Sequence, residues 1–224
     1  VGTSMIGETR EAIEKHAGLG WVLDAVASAF DAGRVTRDAF AAGMDAVLGE
    51  GVMARLDETA RRNVELLVIY EATMRQRLSM ARRLESQGIE VRGDVLWTEA
   101  ARNVGGAVGY YDDLAPFYRT TAVNVNSTSL QMRWAVNQRV FDCPAAGGFL
   151  ITDNQGDLAE HFDLDSEAVA YATLDELEDK VRFYQAHPET RRKIIMRAQA
   201  RISAEHTHAH RLQGLAEFLQ ERFG

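Results

Sequence analysis

Residues 139–153, RVFDCPAAGGFLITD, bring a cation, two carboxylates and a glycine pair into one short stretch. Arg139 can pair with a diphosphate through parallel N–H···O bonds, or sit in a surface salt bridge. Asp142 is a hydrogen-bond acceptor on the helix-like part of the run. Gly147 and Gly148, lacking Cβ, allow the left-handed turn and the close approach that a reversal from helix to strand needs. Asn137 and Gln138 stand at the start of the same helix. Binding sites are built this way, and so are ordinary helix-to-strand connections; the stretch alone leaves both readings open.

Other residues invite chemistry with less force. Gly2, Thr3 and Ser4 follow an expected strand end and suit a phosphate-facing loop, with Arg10 on the next helix. Asn124 and Asn126 share one side of an alternating run, so both side chains can face a cleft or serve strand-end turn chemistry. His206 and His210, if helical, lie on one face at a spacing that suits a metal pair. No acidic or cysteine partner stands at a matching spacing, so no metal site is assigned. Cys143 beside Pro144 reads as a small packed residue, since no neighbouring base would activate it.

These residues are carried by two textures of sequence. Up to Gly88 the chain is helical. Val22, Leu23, Val26 and Phe30 recur at helical spacing, Thr36 suits a helix cap, and Arg55 to Gly88 runs without a breaker. Beyond Gly88, short apolar runs alternate with helical ones. Strands are expected at 89–97, 121–128, 147–152 and 167–172, and helices at 111–120, 131–146 and 156–162. Thr173 and Glu176 form a capping-box pattern, Pro188 sits where a helix start favours it, and a last helix runs from His208 to Phe223. Strand–helix alternation of this kind points to βαβ units and a parallel sheet. The fold class is therefore α/β, a Rossmann-like parallel sheet with an inserted or added helical lobe. Residues 1–19 form its first strand, loop and helix, 20–88 the lobe, and 89–224 the remainder.

Bulk properties narrow the function. The 224 residues carry a net charge of −8, with 46% hydrophobic and 26% charged residues. That composition is globular, and the acidic balance argues against a non-specific nucleic-acid binder. A single cysteine excludes an internal disulfide and fits the cytoplasm. No apolar run reaches membrane-span length and no signal-peptide pattern opens the chain. VGTS reads like the end of a buried strand, so the sequence is expected to start inside a longer protein.

Three pieces in order carry a resemblance: YDDLAPFYRTTAVNVNST, NQRVFDCPAAGGFLITDNQGDLAEHF, and AVAYATLDELEDKVRFYQAHPETRRKIIMRAQARISAEHTHAHRL. Over residues 88–222 the chain resembles the CgeB-like, group 1 family of glycosyltransferases, specifically the C-terminal, nucleotide-sugar-binding domain of the GT-B fold. The resemblance implies a nucleotide diphosphate sugar as donor substrate, no required metal cofactor, and an unknown acceptor served by an N-terminal domain. It implies that Asp142 accepts the ribose hydroxyls, where the family carries glutamate. Asn137, Gln138, Arg139, Gly147 and Gly148 then surround the nucleotide, with Thr3 and Ser4 facing phosphate. Two alternatives stay open. One is a non-catalytic GT-B-like binding or assembly module, self-associating through the helical lobe. The other is a different GT-B-fold enzyme such as a nucleotide-sugar epimerase.

Overall fold

Asp57 and Gly88 bound the longest helical run of the chain. The Asp57 carboxylate accepts the Ala60 N–H at 2.8 Å and satisfies a donor that a helix start leaves over. Helix α5 then runs from Glu58 to Leu84, tightens into a 3₁₀ turn over Glu85–Gln87, and stops at Gly88 with φ 74°. The structure, a computed structural model, describes residues 2–132 and 134–224. It divides into two compact units, Val1–Val108 with Ser127–Trp134, and Gly109–Asn126 with Ala135–Gly224.

In the first unit, α5 packs against α1 (Ile6–Lys15) and α2 (Trp21–Asp31), while α3 (Arg37–Ala42) and α4 (Met44–Leu48) pack on each other and α4 on α2. The expected period in α2 buries Val22, Val26 and Ala29, which meet Val64, Leu67 and Val68 of α5. Each of these fully buried Val and Leu side chains contributes about 1.5–3 kcal/mol. Thr36 caps α3 by accepting the Ala39 N–H at 3.1 Å. A small parallel sheet joins β1 (Val91–Arg92) to β2 (Val104–Gly105). Val1, first residue of the expected VGT strand, lies outside the described residues; Gly2 makes a parallel bridge to Gly93. A Cβ on Gly93 would lie 2.0 Å from the Gly2 carbonyl oxygen, so only glycine permits that approach. The strand expected over 89–97 is shorter than its apolar run. Asp94 accepts the Leu96 N–H at 3.1 Å and turns the chain into a 3₁₀ helix over Val95–Glu99.

The second unit is a three-stranded parallel sheet in the order β3 (Asn124–Asn126), β4 (Leu150–Asp153), β5 (Val169–Tyr171). Helix α6 (Leu114–Thr120) precedes β3, and Pro116 lies in its first turn, where no N–H is needed. Helix α7 (Arg139–Ala145) links β3 to β4, and α8 (Leu158–His161) links β4 to β5. The helix expected over 131–146 is confined to α7. The Asn137 side chain accepts the Arg139 N–H at 3.1 Å and starts it there, while residues 127–134 belong to the first unit. Helix α9 (Leu174–Ala186) begins as its sequence asks: Thr173 Oγ1 accepts the Glu176 N–H, and Glu176 reaches back to the Ala172 N–H at 2.7 Å. Pro188 opens α10 (Pro188–Glu205), and α11 (His208–Phe223) buries none of its residues. The chain is thus a mixed α/β protein with Rossmann-like parallel sheets and a helical lobe. Among the described residues, no helix is long and apolar enough to cross a membrane.

Candidate functional site

Parallel register fixes which residues share the carboxyl edge of β3–β5. Asn126 pairs with Thr152, and Asp153 with Tyr171, so these side chains stand where the strands end. Ligands of open α/β sheets bind beyond that edge. Because α7 leaves β3 and returns to feed β4, its first turn stands at this edge and its last turn at the other.

The first turn is held by a buried polar node. Arg139 NH1 donates to Asn126 Oδ1 at 2.7 Å, and Asn137 Nδ2 donates to the same oxygen at 3.1 Å. Asn126 Nδ2 donates to Thr152 Oγ1 at 2.9 Å and to Asn137 Oδ1 at 3.3 Å. The Thr152 hydroxyl donates to Asp153 Oδ1 at 3.2 Å, and Gln155 Nε2 donates to Asp153 Oδ2 at 3.2 Å. Tyr171 closes the node by donating to the Asn126 carbonyl at 3.1 Å. Asn126, Thr152, Asp153 and Gln155 are all buried. Burial pushes the nearby Tyr118 phenol up from its ordinary pKa, and the Arg139 guanidinium beside it pulls the other way. Arg139 is therefore a cation fixed in position at the carboxyl edge, and half-buried rather than lost in the core.

One turn along α7, Asp142 is half-buried and accepts a hydrogen bond from the Tyr110 hydroxyl at 3.1 Å. That carboxylate raises the Tyr110 pKa above the usual phenol value. Gln138, exposed, also lies beside the Tyr110 hydroxyl. Asn137, Gln138, Arg139 and Asp142 are thus brought together.

Gly147 and Gly148 stand at the opposite end of α7, ahead of β4. Gly147 has φ 90°, the left-handed value that favours glycine. A Cβ on Gly148 would fall 2.8 Å from Cys143 Sγ and 2.9 Å from the Tyr118 carbonyl oxygen. Both glycines are accounted for by the turn and its packing.

Thr3 and Ser4 lie in the first unit, in the loop from Gly2 into α1. Ser4 donates to Asp94 from its N–H at 2.6 Å and its hydroxyl at 2.8 Å. Thr3 Oγ1 donates to Glu8 Oε1 at 2.8 Å, and its carbonyl accepts from Arg77 at 3.0 Å. Burial works against the Asp94 charge, but the Ser4 and Leu96 hydrogen bonds outweigh it and hold the carboxyl below its usual range. The loop is a tied structure with its own carboxylate anchor.

The model of the glycosyl transferase-like family matches residues 61–217, more than half of the chain. The chain belongs to this family. No curated protein and no solved structure matches it. Membership implies a sugar donor and an acceptor, and the match takes in α5 from Arg61 onward and strands β1 to β5.

Within this glycosyl transferase-like chain the remaining candidates have local roles. His206 ends α10 and its Nε2 lies 3.1 Å from the His161 carbonyl oxygen, while His210 sits in α11 and hydrogen-bonds the Thr207 cap. The two do not share a helix. Among the described residues no group of three or more metal-ligating side chains forms. Cys143 is fully buried, which pushes its thiol pKa up. Sequence reasoning missed Tyr110, Thr152 and Gln155. The glycine followed by paired tyrosines at 109–111 was a usable signal for the first; nothing local marks the other two.

Proposed function

We propose that the chain is the donor-binding part of a glycosyltransferase of CgeB-like, GT-B type, taking a nucleotide diphosphate sugar at the carboxyl edge of β3–β5. The observation that carries this is the pinning of Arg139 by Asn126, one helical turn from Asp142. Arg139 faces the diphosphate and balances the charge that builds on it as the sugar leaves. Helix α7 has seven residues, so its dipole is a minor term and the guanidinium is assigned the main electrostatic role. Asp142 accepts hydrogen bonds from the ribose hydroxyls. Gln138 and Asn137 flank the nucleotide. The reading requires no bound metal, and the acceptor remains to be found by assay.

Calorimetric titration with UDP, GDP, ADP and TDP tests the proposal. One diphosphate binds selectively, and Asp142→Ala weakens it by about 10–100-fold, the worth of hydrogen bonds to a charged group. No binding by any of the four, or equal binding by the variant, refutes the reading.

A further inference from the structure

We propose that Tyr110 determines sugar specificity in that site: its hydroxyl links the Asp142 carboxylate to the ligand's 2′-hydroxyl and so selects ribose over 2′-deoxyribose. The inference rests on the donor-site reading above.

The Tyr110 hydroxyl has one proton, and it is directed inward to Asp142 Oδ2 at 3.1 Å. A phenol oxygen that donates its proton keeps acceptor capacity on its other side. The Gln138 amide donates to that oxygen, and with Tyr110 54% exposed a ligand hydroxyl takes the amide's place there. Donation to a carboxylate polarises the O–H and makes its oxygen a better acceptor, so carboxylate, phenol and ligand hydroxyl strengthen one another in series. The raised phenol pKa keeps the proton in place for this role.

The tyrosine is also held in position. The Gly109 carbonyl accepts the Asp113 N–H at 3.2 Å and the Leu114 N–H at 3.0 Å, tying the loop to the start of α6. The Tyr111 ring lies edge-on to Tyr110 at 5.3 Å and 88°, but it is 91% exposed and adds little restraint. An acceptor placed at the 2′-hydroxyl favours the ligand that carries it; water serves the half-exposed phenol when the hydroxyl is missing, so the discrimination is that of a single hydrogen bond.

The test is calorimetry on the full chain with UDP, GDP and ADP and their 2′-deoxy counterparts. Wild type, Asp142→Ala, Tyr110→Phe and the double variant Tyr110→Phe/Asp142→Glu are compared. The wild type prefers the ribonucleotide by about 5–10-fold, the scale of one well-placed hydrogen bond. Tyr110→Phe loses that preference by weakening the ribonucleotide alone. Adding Asp142→Glu restores it, because the longer side chain reaches toward the place of the missing hydroxyl. If Tyr110→Phe weakens both sugars equally, or tightens binding, the proposal is overturned. If Asp142→Ala weakens binding while Tyr110→Phe leaves the preference intact, the relay alone fails. If the wild type binds none of the nucleotides, the donor-site reading and this inference fall together.

Discussion

Truncating Asn126 to alanine attacks the node that holds Arg139. The Asn126 side chain makes four hydrogen bonds: to Thr152, two with Asn137, and one from Arg139. Neutral bonds contribute about 0.5–1.5 kcal/mol each and a charged partner about 1.5–3 kcal/mol, so a simple sum runs from about 3 to about 7 kcal/mol. The low end applies. Asn137 and Arg139 are half-buried and regain water, and the Thr152 hydroxyl keeps its bond to Asp153. Asn126→Ala should therefore cost about 3 kcal/mol. For a chain of 224 residues that lowers Tm by about 6–12 °C, and at ordinary denaturant slopes it lowers the urea midpoint by about 1–3 M. Thr152→Val, which removes the bonds to both Asn126 and Asp153, should cost about 1–3 kcal/mol. Urea unfolding followed by circular dichroism reads both. A loss below about 1 kcal/mol for Asn126→Ala would show that the node is not a determinant of the fold, and the fixed position of Arg139 would lose its basis.

Two further perturbations follow from the same geometry. Gly148→Ala forces a Cβ to within 2.9 Å of the Tyr118 backbone and should cost about 1–3 kcal/mol; wild-type stability in the variant would contradict the assignment of that glycine to packing. Glu71 of α5 is 2% exposed, and burial raises its pKa above the usual value despite its pairing with Arg75. The folded chain holds that proton more tightly than the unfolded one, so the contribution is full below the ordinary glutamate pKa and is lost as pH rises through the raised value. Glu71→Gln should flatten that fall in urea midpoints taken from about pH 4 to about pH 8; an unchanged slope would place the titration elsewhere.

Features set by local chemistry were readable before any coordinates. The Thr36 cap, the Thr173–Glu176 pair, the Pro188 helix start and the unbroken run ending at Gly88 all follow from side chains acting on their own backbone. What escaped was decided by distant partners. The run 131–146 has a helical pattern, yet Leu130 is buried in the first unit's core, and Ser129 and Ser127 hydrogen-bond Thr73 and Gln76 of α5. Those contacts span more than fifty positions and take the segment out of the helix. The site was half legible for the same reason. Asp142, Arg139 and Asn126 were visible as candidates, but the bond between Arg139 and Asn126 depends on the β3–α7–β4 crossover, and the tyrosine on Asp142 comes from 32 positions upstream.

The proposed function stands or falls on where a nucleotide sits. Its most direct test is amide chemical-shift mapping of the isotope-labelled chain during titration with the diphosphate that calorimetry selects. Binding at the carboxyl edge should give the largest shifts at Gln138, the N-cap position of α7, and at Arg139 and Asp142 on its first turn, with Tyr110 following and Gly147 and Gly148 beyond the far end of the helix little changed. Shifts concentrated at the glycine end, or in the loop carrying Thr3 and Ser4 alone, would contradict it.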